Sequence, residues 1–387
     1  MKHGWEYKQI MDVGKVVTGS TPPTSDKQNY TSNDVCFVKP SDIGQDGITD
    51  IQETEFHISE YAYNNTNRKL PKGSVLVTCI GIIGKVGILT KEATCNQQIN
   101  AVIPNSTIMP RYLAYCIYSI RKALQDKANA PVVPILNKGQ FSSFQIPVPP
   151  LPVQQQICSL LDKLCRVIEA KKEQLKELDN LAQAIFYDMF GDPATNDKGW
   201  ETSTIDNIST EKLSYGSGAS AVEYDGRTRY IRITDINEIG DLNKDIKSPS
   251  EIDDKYLLKE GDLLFARSGA TVGKTYCHNE KNGRCIYAGY LIKMRPNTLK
   301  VLPKYVFYYT KTDYYKAFVM NAQNSVAQPN INAKQYGALM ITVPPLPLQQ
   351  AFAEKVEAIE RQKELIYQSI REVQTLFDSR MDYWFSD

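Results

Sequence analysis

The sequence predicts an α+β protein in which two similar, β-rich globular domains alternate with two long antiparallel coiled-coil helices, as a pseudo-two-fold internal repeat. Three observations support this. Apolar residues follow a heptad pattern in the stretch Leu151–Phe190, the pattern returns 195 residues later in Leu346–Phe385, and similar segments precede both stretches. A repeat this long that occurs only twice argues against a solenoid and favours a two-fold arrangement.

The helices and the globular segments divide the chain into four parts. We place one globular domain at residues 1–150 and the other at 193–345, with the long helices at 151–192 and 346–387. The first helix should stop at Gly191-Asp192-Pro193, because glycine ends helices readily and proline cannot continue them. If the helices pair antiparallel, they hold the two globular domains at opposite ends.

The apolar seam of each helix identifies the side chains that should form the helix pair. A lysine interrupts each seam, and antiparallel pairing sets Lys171 near Ile370 and Lys363 near Leu178. The expected pairing residues are Ile157, Leu161, Leu164, Ile168, Leu175 and Leu178 in the first helix, continued by Ile185 and Met189, and Phe352, Val356, Ile359, Ile366, Ile370 and Val373 in the second.

A short stretch that we call the proline segment precedes each helix. Residues 146–155 have the sequence IPVPPLPVQQ, and residues 341–350 have the sequence ITVPPLPLQQ. Proline fixes the backbone and lacks the amide donor that a helix interior requires. We therefore expect each helix to begin only after the last proline of its proline segment, Pro152 or Pro347.

Short strand-like segments with glycine turns dominate each globular part. One helix is expected near the end of each part, at residues 111–124 and 304–318. The matched strand-like segments are Val35–Val38 and 41–43 with 230–233 and 234–236, and 70–77 with 258–265.

Composition and charge are those of an ordinary globular protein. The net charge is +1, so any nucleic-acid contact must come from local patches and not from a generally basic surface. No apolar run approaches the roughly 20 residues of a membrane span, and no apolar signal region follows the N-terminus. We therefore expect a cytoplasmic protein with no membrane partner.

The eight cysteines are scattered, with no CxxC pair, which favours reduced thiols over disulfides. Cys277, His278 and Cys285 come nearest to a metal-binding pattern, but the first half of the chain offers no matching set. We expect no metal site.

The motifs of the chain recur in doubled order. They are the proline segments, over 148–155 and 343–350, the turns at 73–76 and 261–264 with Gly-Lys pairs at 84–85 and 273–274, and residues 189–193 between the halves. Each motif alone is weak, whereas their repetition is specific and covers essentially the whole chain. In this order the sequence resembles the specificity subunit of type I restriction-modification systems.

This resemblance implies a non-catalytic subunit with two target-recognition domains, each of which recognises one half of a split target in double-stranded DNA. It implies that the helical regions hold two methyltransferase (modification) subunits, which motor-nuclease (restriction) subunits join in the full complex. The partners would bring S-adenosylmethionine, ATP and Mg²⁺, and this chain would hold no cofactor. Because the loops of the two domains differ, the half-sites should differ in sequence.

Polar and basic residues in loops are the candidate DNA-binding residues, because they can contact phosphates or base edges. The alternative for each is an ordinary solvated side chain. Alternation along a strand would place Arg227 and Arg229 on one face. The candidates are Lys15, Thr18, Ser20, Thr21, Arg68, Lys69, Lys85, Gln97, Gln98 and Asn100 in the first part, and Tyr215, Ser217, Arg227, Arg229, Arg232, Arg267, Ser268, Lys274, Gln323 and Asn324 in the second.

Catalytic motifs are incomplete in this sequence. Residues 269–275 resemble a phosphate-binding loop but have three residues between the glycines where the motif requires four, so we interpret them as a tight turn between strands. The three histidines, His3, His57 and His278, suggest no general-base constellation. We expect no catalytic residues.

Two other function classes remain open on the residues alone. The chain could be a duplicated protein-binding adaptor with coiled-coil oligomerisation and no DNA specificity, which would show little salt dependence in its binding. An ATP-dependent enzyme is a third class, and it requires nucleotide binding by the isolated chain.

Overall fold

The computed structural model describes residues 4–128, 133–324 and 330–386, and its contacts divide the chain into two units. The first unit consists of Met1–Lys171 and Gln368–Asp387, and the second consists of Lys172–Tyr367. Each unit therefore contains one strand-rich part together with part of each long helix.

Short strands and helices precede the first long helix. The strands are β1 (Glu6–Gln9), β2 (Gly14–Thr18), β3 (Val35–Val38), β4 (Ile48–Ile51), β5 (His57–Ile58), β6 (Val75–Thr78), β7 (Val86–Leu89), β8 (Ala93–Cys95), β9 (Ile99–Pro104) and β10 (Gln145–Val148). The helices are α1 (Ile10–Val13), α2 (Glu60–Asn65), α3 (Pro110–Ser119), α4 (Arg121–Lys127), α5 (Lys138–Ser142) and the long α6 (Leu151–Phe190).

The second half of the chain has a similar but not identical series. Its strands are β11 (Glu201–Thr204), β12 (Ser214–Tyr215), β13 (Ala221–Glu223), β14 (Thr228–Ile231), β15 (Lys247–Pro249), β16 (Leu263–Ala266), β17 (Thr275–Cys277), β18 (Arg284–Tyr287), β19 (Leu291–Met294) and β20 (Met340–Val343). Its helices are α7 (Pro303–Tyr309), α8 (Asp313–Asn324), α9 (Ala333–Gly337) and the long α10 (Leu346–Phe385).

The strand order shows that the two globular parts share one frame. The main sheet of the first unit has the order β2-β9-β6-β7-β4, and that of the second has the corresponding order β12-β19-β16-β17. Beside it, β3 pairs parallel with β8 in the first unit, and β14 pairs parallel with β18 in the second. The antiparallel pairs β1-β10 and β11-β20 lead the chain into the long helices. The sequence repeat is thus a repeat of topology.

The long helices are antiparallel within each unit. In the first unit, Leu161 near the start of α6 shares a core with Phe377 and Met381 near the end of α10. In the second unit, the Phe186 and Phe190 rings at the end of α6 lie 5.6 and 5.2 Å from the ring of Phe352 at the start of α10. The helices are therefore antiparallel in each unit, as expected.

The predicted pairing residues are buried or half-buried along both helices. Lys363 lies beside Leu178, as antiparallel pairing predicts, because its Nζ donates to Oδ1 of Asp179 at 2.7 Å. Burial is the largest single effect and lowers the pKa of Lys363, but the hydrogen bond to Asp179 and the charges of Asp179 and Asp241 together raise it overall. The buried members of the predicted set are Ile157, Leu161, Ile168, Leu175, Phe352, Val356, Ile359 and Ile366, and the half-buried members are Leu164, Leu178, Ile370 and Val373.

The seam shifts by one position in the last turns of both helices. An α-helix turns every 3.6 residues, so a strict heptad drifts around its surface, and here the next position along faces the core of the globular part. Phe186, for example, also stacks on Tyr305 of that part. The buried side chains are Phe186 and Phe190 in α6 and Met381 and Phe385 in α10, whereas Ile185 and Met189 are half-buried and Arg380 is exposed.

Each long helix begins before the last proline of its proline segment, so the prediction of a later start was wrong. Helix α6 starts at Leu151 and α10 at Leu346, which puts Pro152 and Pro347 at the second helical position. The first amides of a helix have no intrahelical acceptor, so proline costs nothing there.

The first glutamine of each proline segment locks the helix start to the globular part. The Oε1 of Gln154 accepts from the Met109 amide at 2.8 Å, and its Nε2 donates to the carbonyls of Thr107 and Pro149. Gln349 does the same with the Leu302 amide and the carbonyls of Lys300 and Pro344. Both glutamines are fully buried. This role was not anticipated from the sequence.

In each unit, ion pairs also join the globular part to the long helix. The Nε of Arg111, at the start of α3, lies 3.0 Å from Asp162 of α6. Lys304, at the start of α7, pairs with Glu357 and Glu360 of α10. The basic residue therefore comes from the globular part and the acidic ones from the long helix in both units.

Four local predictions need correction. Residues 40–42 and 233–235 form 3-10 turns and not strands, because Asp42 and Asp235 accept from the amides of Lys39 and Arg232 three residues earlier. The single helices expected at 111–124 and 304–318 are each broken in two. In the second, Thr310 and Thr312 bond backbone carbonyls three residues earlier and so end α7.

Other expectations are confirmed. Strand β3 has the predicted bounds Val35–Val38. Helix α6 ends at Phe190, and the next residue, Gly191, has a φ of +77° and donates its amide to the Tyr187 carbonyl at 2.8 Å. None of the described helices combines the length and the apolar character that a membrane-spanning helix needs.

We predict that Gln154→Leu destabilises the first unit by about 2–3 kcal/mol, because the Met109 amide and two carbonyls lose a buried partner. Urea unfolding followed by circular dichroism measures the loss. The matched control is Gln155→Leu, since Gln155 is exposed beside it and should change stability by no more than about 0.5 kcal/mol. Equal effects of the two substitutions would contradict the lock.

Candidate nucleic-acid interface

In both units, a glycine lets one loop cross the end of the parallel strand pair. A β-carbon on Gly19 would lie 2.1 Å from the Asn96 carbonyl oxygen, and one on Gly216 would lie 2.4 Å from the Tyr287 carbonyl oxygen. Backbone amides anchor the crossing, since Ser20 donates to Cys95 and Ser217 donates to Tyr287. Only glycine fits such close approach, so the loop after β2 and its counterpart after β12 are held against the sheets.

The first loop meets two other segments in what we call the first corner, formed by Ser20, Thr21, Arg68, Gln97 and Gln98. Thr21 donates its hydroxyl to Oε1 of Gln97 at 2.7 Å. Arg68 reaches the same loop through a 2.6 Å bond from Nη1 to the Gly19 carbonyl. Thr21, Arg68 and Gln97 are exposed. The corner therefore presents a guanidinium and an amide to solvent around one loop.

The second loop meets its neighbours in the second corner, formed by Tyr215, Arg267, Tyr290 and Asn330. The guanidinium of Arg267 lies 4.7 Å from the centre of the Tyr215 ring, and its Nε donates to Oδ1 of Asn330 at 3.2 Å. Tyr290 is 62% exposed, and its carbonyl accepts from the Arg267 amide. This corner combines one guanidinium and one amide with two aromatic rings.

Backbone hydrogen bonds show that the corners occupy equivalent places. The Cys79 amide donates to Gln98 as the Arg267 amide donates to Tyr290, and the Leu136 amide donates to Cys79 as the Ile331 amide donates to Arg267. The frame is thus shared while the side chains differ. Cys79 is buried where Arg267 is half-buried, and Gln98 occupies the place of Tyr290.

Other candidates of the first unit are mostly engaged in the fold. Thr18 donates to the buried Asn100 at 2.7 Å, and Lys85 bonds the carbonyls of Pro40 and Ile43. Lys69 lies over the Tyr63 ring and remains exposed. Lys15 is exposed on β2. Of these four, only Lys15 and Lys69 offer a charge directly to solvent.

The basic cluster expected around β14 does not form one outward face. Arg229 is only 8% exposed and donates to the Asn243 carbonyl, whereas Arg227 is exposed. Arg232 pairs with Asp235 and Asp245 at 2.6 and 2.9 Å. Hydrogen bonding to Asp235, with a smaller contribution from Asp245, raises the pKa of Arg232. Contacts with Asn243, Asp235 and Asp245 draw Arg229 and Arg232 away from Arg227. Alternation along a strand does not predict such contacts.

The remaining candidates of the second unit lie in several places. Lys274 pairs with Glu238 at 2.9 Å. Ser217 is buried, and Ser268 is half-buried next to Arg267. Gln323 lies on the wall of a separate cavity of about 620 Å³. The side chain of Asn324 and residues 325–329 lie outside what the structure describes. The second corner therefore keeps Tyr215 and Arg267 from the predicted set.

Tyr290 and Asn330 are members of the second corner that the sequence did not single out. Tyr290 follows Gly289 in a turn. An aromatic residue directly after a turn glycine is the sequence feature that could have indicated this position. Asn330 reaches the corner through an isolated bridge between Ser268 and Asn330. That bridge joins residues far apart in sequence, so no local pattern indicates it.

The structure does not bring Cys277, His278 and Cys285 into one ligand set. His278 is buried and its Nδ1 lies 3.1 Å from the Tyr276 hydroxyl, while Cys285 donates to the Asn282 carbonyl. Burial lowers the pKa of His278, which favours a neutral imidazole in the core.

The phosphate-loop resemblance at residues 269–275 is explained by a turn. Strands β16 and β17 pair antiparallel on either side of it, and Gly273 has a φ of +87°. The lysine of the motif is bound to Glu238 and is therefore engaged within the protein.

Comparison with known families identifies the repeated frame. The family model described as type I restriction modification DNA specificity domain matches residues 2–180 and, a second time, residues 197–375. The chain belongs to this family. It therefore carries two copies of the DNA specificity domain, and each copy contains one of the two corners.

Relatives within the specificity-domain family span most of the chain. The specificity subunit of the type I restriction enzyme MjaIX of Methanocaldococcus jannaschii is 25% identical over 388 residues, which cover 92% of this chain and 86% of the relative. The HindI specificity subunit of Haemophilus influenzae is 32% identical over 178 residues, which cover 44% of this chain and 38% of the relative.

Solved structures of type I systems share the fold. The S subunit of the type I system of M. genitalium gives a TM-score of 0.56 at 12% identity, with 99% of this chain and 96% of that chain covered. A chain from a study of complex assembly and conformational transition in the type I system also gives 0.56, at 17% identity, with 100% and 99% covered.

We predict that Gly216→Ala destabilises the second unit by about 1–3 kcal/mol, because the added methyl would overlap the Tyr287 and Ala288 carbonyls. Thermal unfolding of the purified chain measures this. Gly218→Ala is the control, since two residues further along the same loop a methyl meets nothing within 4 Å. If both variants melt alike, the close crossing does not hold this loop in place.

Proposed function

We propose that this chain is the specificity subunit of a type I restriction-modification complex, in which each unit recognises one half of a bipartite target in double-stranded DNA. The observation that carries the proposal is the double match of the specificity-domain model on a chain whose corners are equivalent in place and different in chemistry. Because the two units share one frame, each corner would be placed in the same way on its own half-site. The two corners have different side chains, so they would select different base sequences.

The corners have the chemistry that base recognition requires. Arginine bonds the O6 and N7 acceptors of guanine, and an amide bonds the N6 and N7 of adenine. Arg68 and Gln97 supply these groups in the first corner, and Arg267 and Asn330 supply them in the second. Stacking on Tyr215 holds the guanidinium of Arg267 in place before DNA arrives. Lys15, Lys69 and Arg227 are exposed charges suited to phosphate contacts.

The long helices are the proposed docking sites for two methyltransferase subunits, which motor-nuclease subunits join in the full complex. On the part of α6 that belongs to the first unit, exposed apolar side chains recur seven residues apart, at Leu160 and Val167, which are 37 and 41% exposed. Leu376 and Tyr383 repeat the spacing on α10 and are 42 and 43% exposed. Such a stripe fits a helix of another subunit packed alongside.

The chemistry of modification and cleavage belongs, in this proposal, to the partners. They would bring S-adenosylmethionine, ATP and Mg²⁺, while this chain selects the sequence without catalysing a reaction. In support, Lys274 of the phosphate-loop-like turn is bound to Glu238, and Lys85 of the corresponding Gly-Lys pair is bound to a backbone carbonyl.

We predict that Val167→Asp weakens binding of the methyltransferase subunit at least about tenfold, because it puts a charge into an apolar contact. Isothermal titration with the purified partner measures the affinity. Lys172→Asp is the control, since it introduces the same acid at an exposed position of α6 off the stripe. Equal affinity of Val167→Asp and wild type would exclude this stripe as the contact.

The test of the function uses the reconstituted complex of this chain with its methyltransferase subunits on a library of DNA duplexes. We predict that Arg68→Ala relaxes selection at one half-site and that Arg267→Ala relaxes it at the other, by about 1–3 kcal/mol at the affected base pair. Sequencing of the methylated fraction reads both half-sites at once, so each variant is the control for the other.

Two outcomes would contradict the proposal. A complex without sequence preference, or variants that both alter the same half-site, would rule out one target half per unit. Binding that hardly changes between low and high salt would instead favour a protein-binding adaptor, because phosphate contacts release counterions and weaken steeply with salt.

A further inference from the structure

A cluster of three metal-ligand side chains lies in the first unit, apart from the residues of the first corner. Cys36 lies on β3 and His57 on β5, and the two are directly opposite in the antiparallel pair, which puts their side chains on one face. Glu53 joins them from the segment between β4 and β5. It is the single group of this kind in the described part of the chain.

The distances between the three ligand atoms match one face of a tetrahedron around zinc. Sγ of Cys36 lies 3.7 Å from Oε2 of Glu53 and 3.8 Å from Nε2 of His57, and the last two atoms are 3.5 Å apart. Zinc bonds of about 2.0–2.3 Å at tetrahedral angles give ligand-to-ligand edges of about 3.3–3.6 Å. An inward adjustment of roughly 0.2 Å per atom pair would complete the geometry.

The surroundings suit an exchangeable surface ion. The Cys36 side chain closes the bottom of the cluster at 3% exposure, whereas the side chains of His57 and Glu53 are 22 and 72% exposed and leave the outer side open. Lys91 pairs with the other carboxylate oxygen of Glu53, Oε1, at 2.6 Å. Oε2 therefore stays directed at the cysteine and the histidine.

We propose that Cys36, Glu53 and His57 bind one zinc ion, with water at the fourth position. A thiolate, a carboxylate and a neutral imidazole offset the charge of Zn²⁺, and mixed sulfur, nitrogen and oxygen ligands are of the kind that zinc accepts. Binding replaces the thiol proton of Cys36, which leaves to solvent. Zinc would then join β3, β5 and the segment between β4 and β5.

The site belongs to the first unit alone. Cys36 faces Ala93 across the parallel pair of β3 and β8, and the residue at the matching place in the second unit, opposite Cys285, is Arg229. The far end of β3 also supports the first corner, because the Val38 carbonyl accepts from the Asn96 amide at 3.1 Å. Zinc would therefore stiffen the strand on which one corner rests and leave the other corner unaffected.

Zinc titration of the full chain tests the proposal, with reductant present and after removal of metal by a chelator. We expect one zinc ion per chain in competition with a chromogenic chelator, and thiolate-to-metal absorption when cobalt replaces zinc. Cys36→Ser should abolish that absorption. Glu53→Gln should lower the zinc affinity by about tenfold or more. Loss of a residue that only hydrogen-bonds to a metal ligand already lowers metal affinity by about 10–100-fold.

Matched variants separate the site from nonspecific binding and from misfolding. Lys91→Met breaks the same ion pair as Glu53→Gln but keeps all three ligands, so it should bind zinc at least as tightly as wild type. Cys95→Ser removes a buried cysteine of the same sheet and should leave the zinc affinity and the cobalt absorption unchanged. Absence of stoichiometric zinc in the wild type, or equal affinity of Glu53→Gln and Lys91→Met, would overturn the proposal. Glu53 is exposed, so its variant folds and keeps the test decisive.

Discussion

The buried glutamine at the start of each long helix is the contact on which the arrangement of each unit depends. Gln154 and Gln349 each satisfy one amide and two carbonyls of the globular part or the proline segment. A buried amide without these partners would cost more than the hydrogen bonds contribute when made, so the geometry tolerates little variation. The ion pairs from Arg111 and Lys304 then fix the direction in which each long helix leaves its globular part.

On this fixed frame, the units differ where the loops meet. Gly19 and Gly216 hold equivalent loops against equivalent strands, and around them the first unit places Arg68 and Gln97 while the second places Arg267 between Tyr215 and Asn330. Repetition of the frame with replacement of the exposed side chains is how one chain can carry two specificity domains of unlike preference. The same separation explains why many candidates belong to the frame itself. Asn100, Lys85, Arg229 and Arg232 are held by partners within their own unit.

The zinc cluster illustrates the limit of sequence patterns. Cys36, Glu53 and His57 are separated by 17 and 4 positions, which matches no familiar metal motif, and the pattern that did suggest metal, at Cys277 and His278, has no common ligand set. A strand pairing brings Cys36 and His57 together, so the cluster follows from register and not from spacing. The broken helices at residues 110–127 and 303–324 have a local origin instead, since the hydroxyls of Ser119 and Thr310 donate to carbonyls three residues earlier and interrupt an apolar pattern that continues through them.

The sequence by itself determined the large-scale plan. The heptads and the proline segments are local patterns that recur along the chain, and such patterns suffice to predict two long helices and a frame that occurs twice. Only the tertiary structure decided which polar side chains face solvent. Whether an arginine is exposed, like Arg68, or tied to carboxylates, like Arg232, depends on residues that register and loop crossings bring from far along the chain, and no period in the sequence records those crossings.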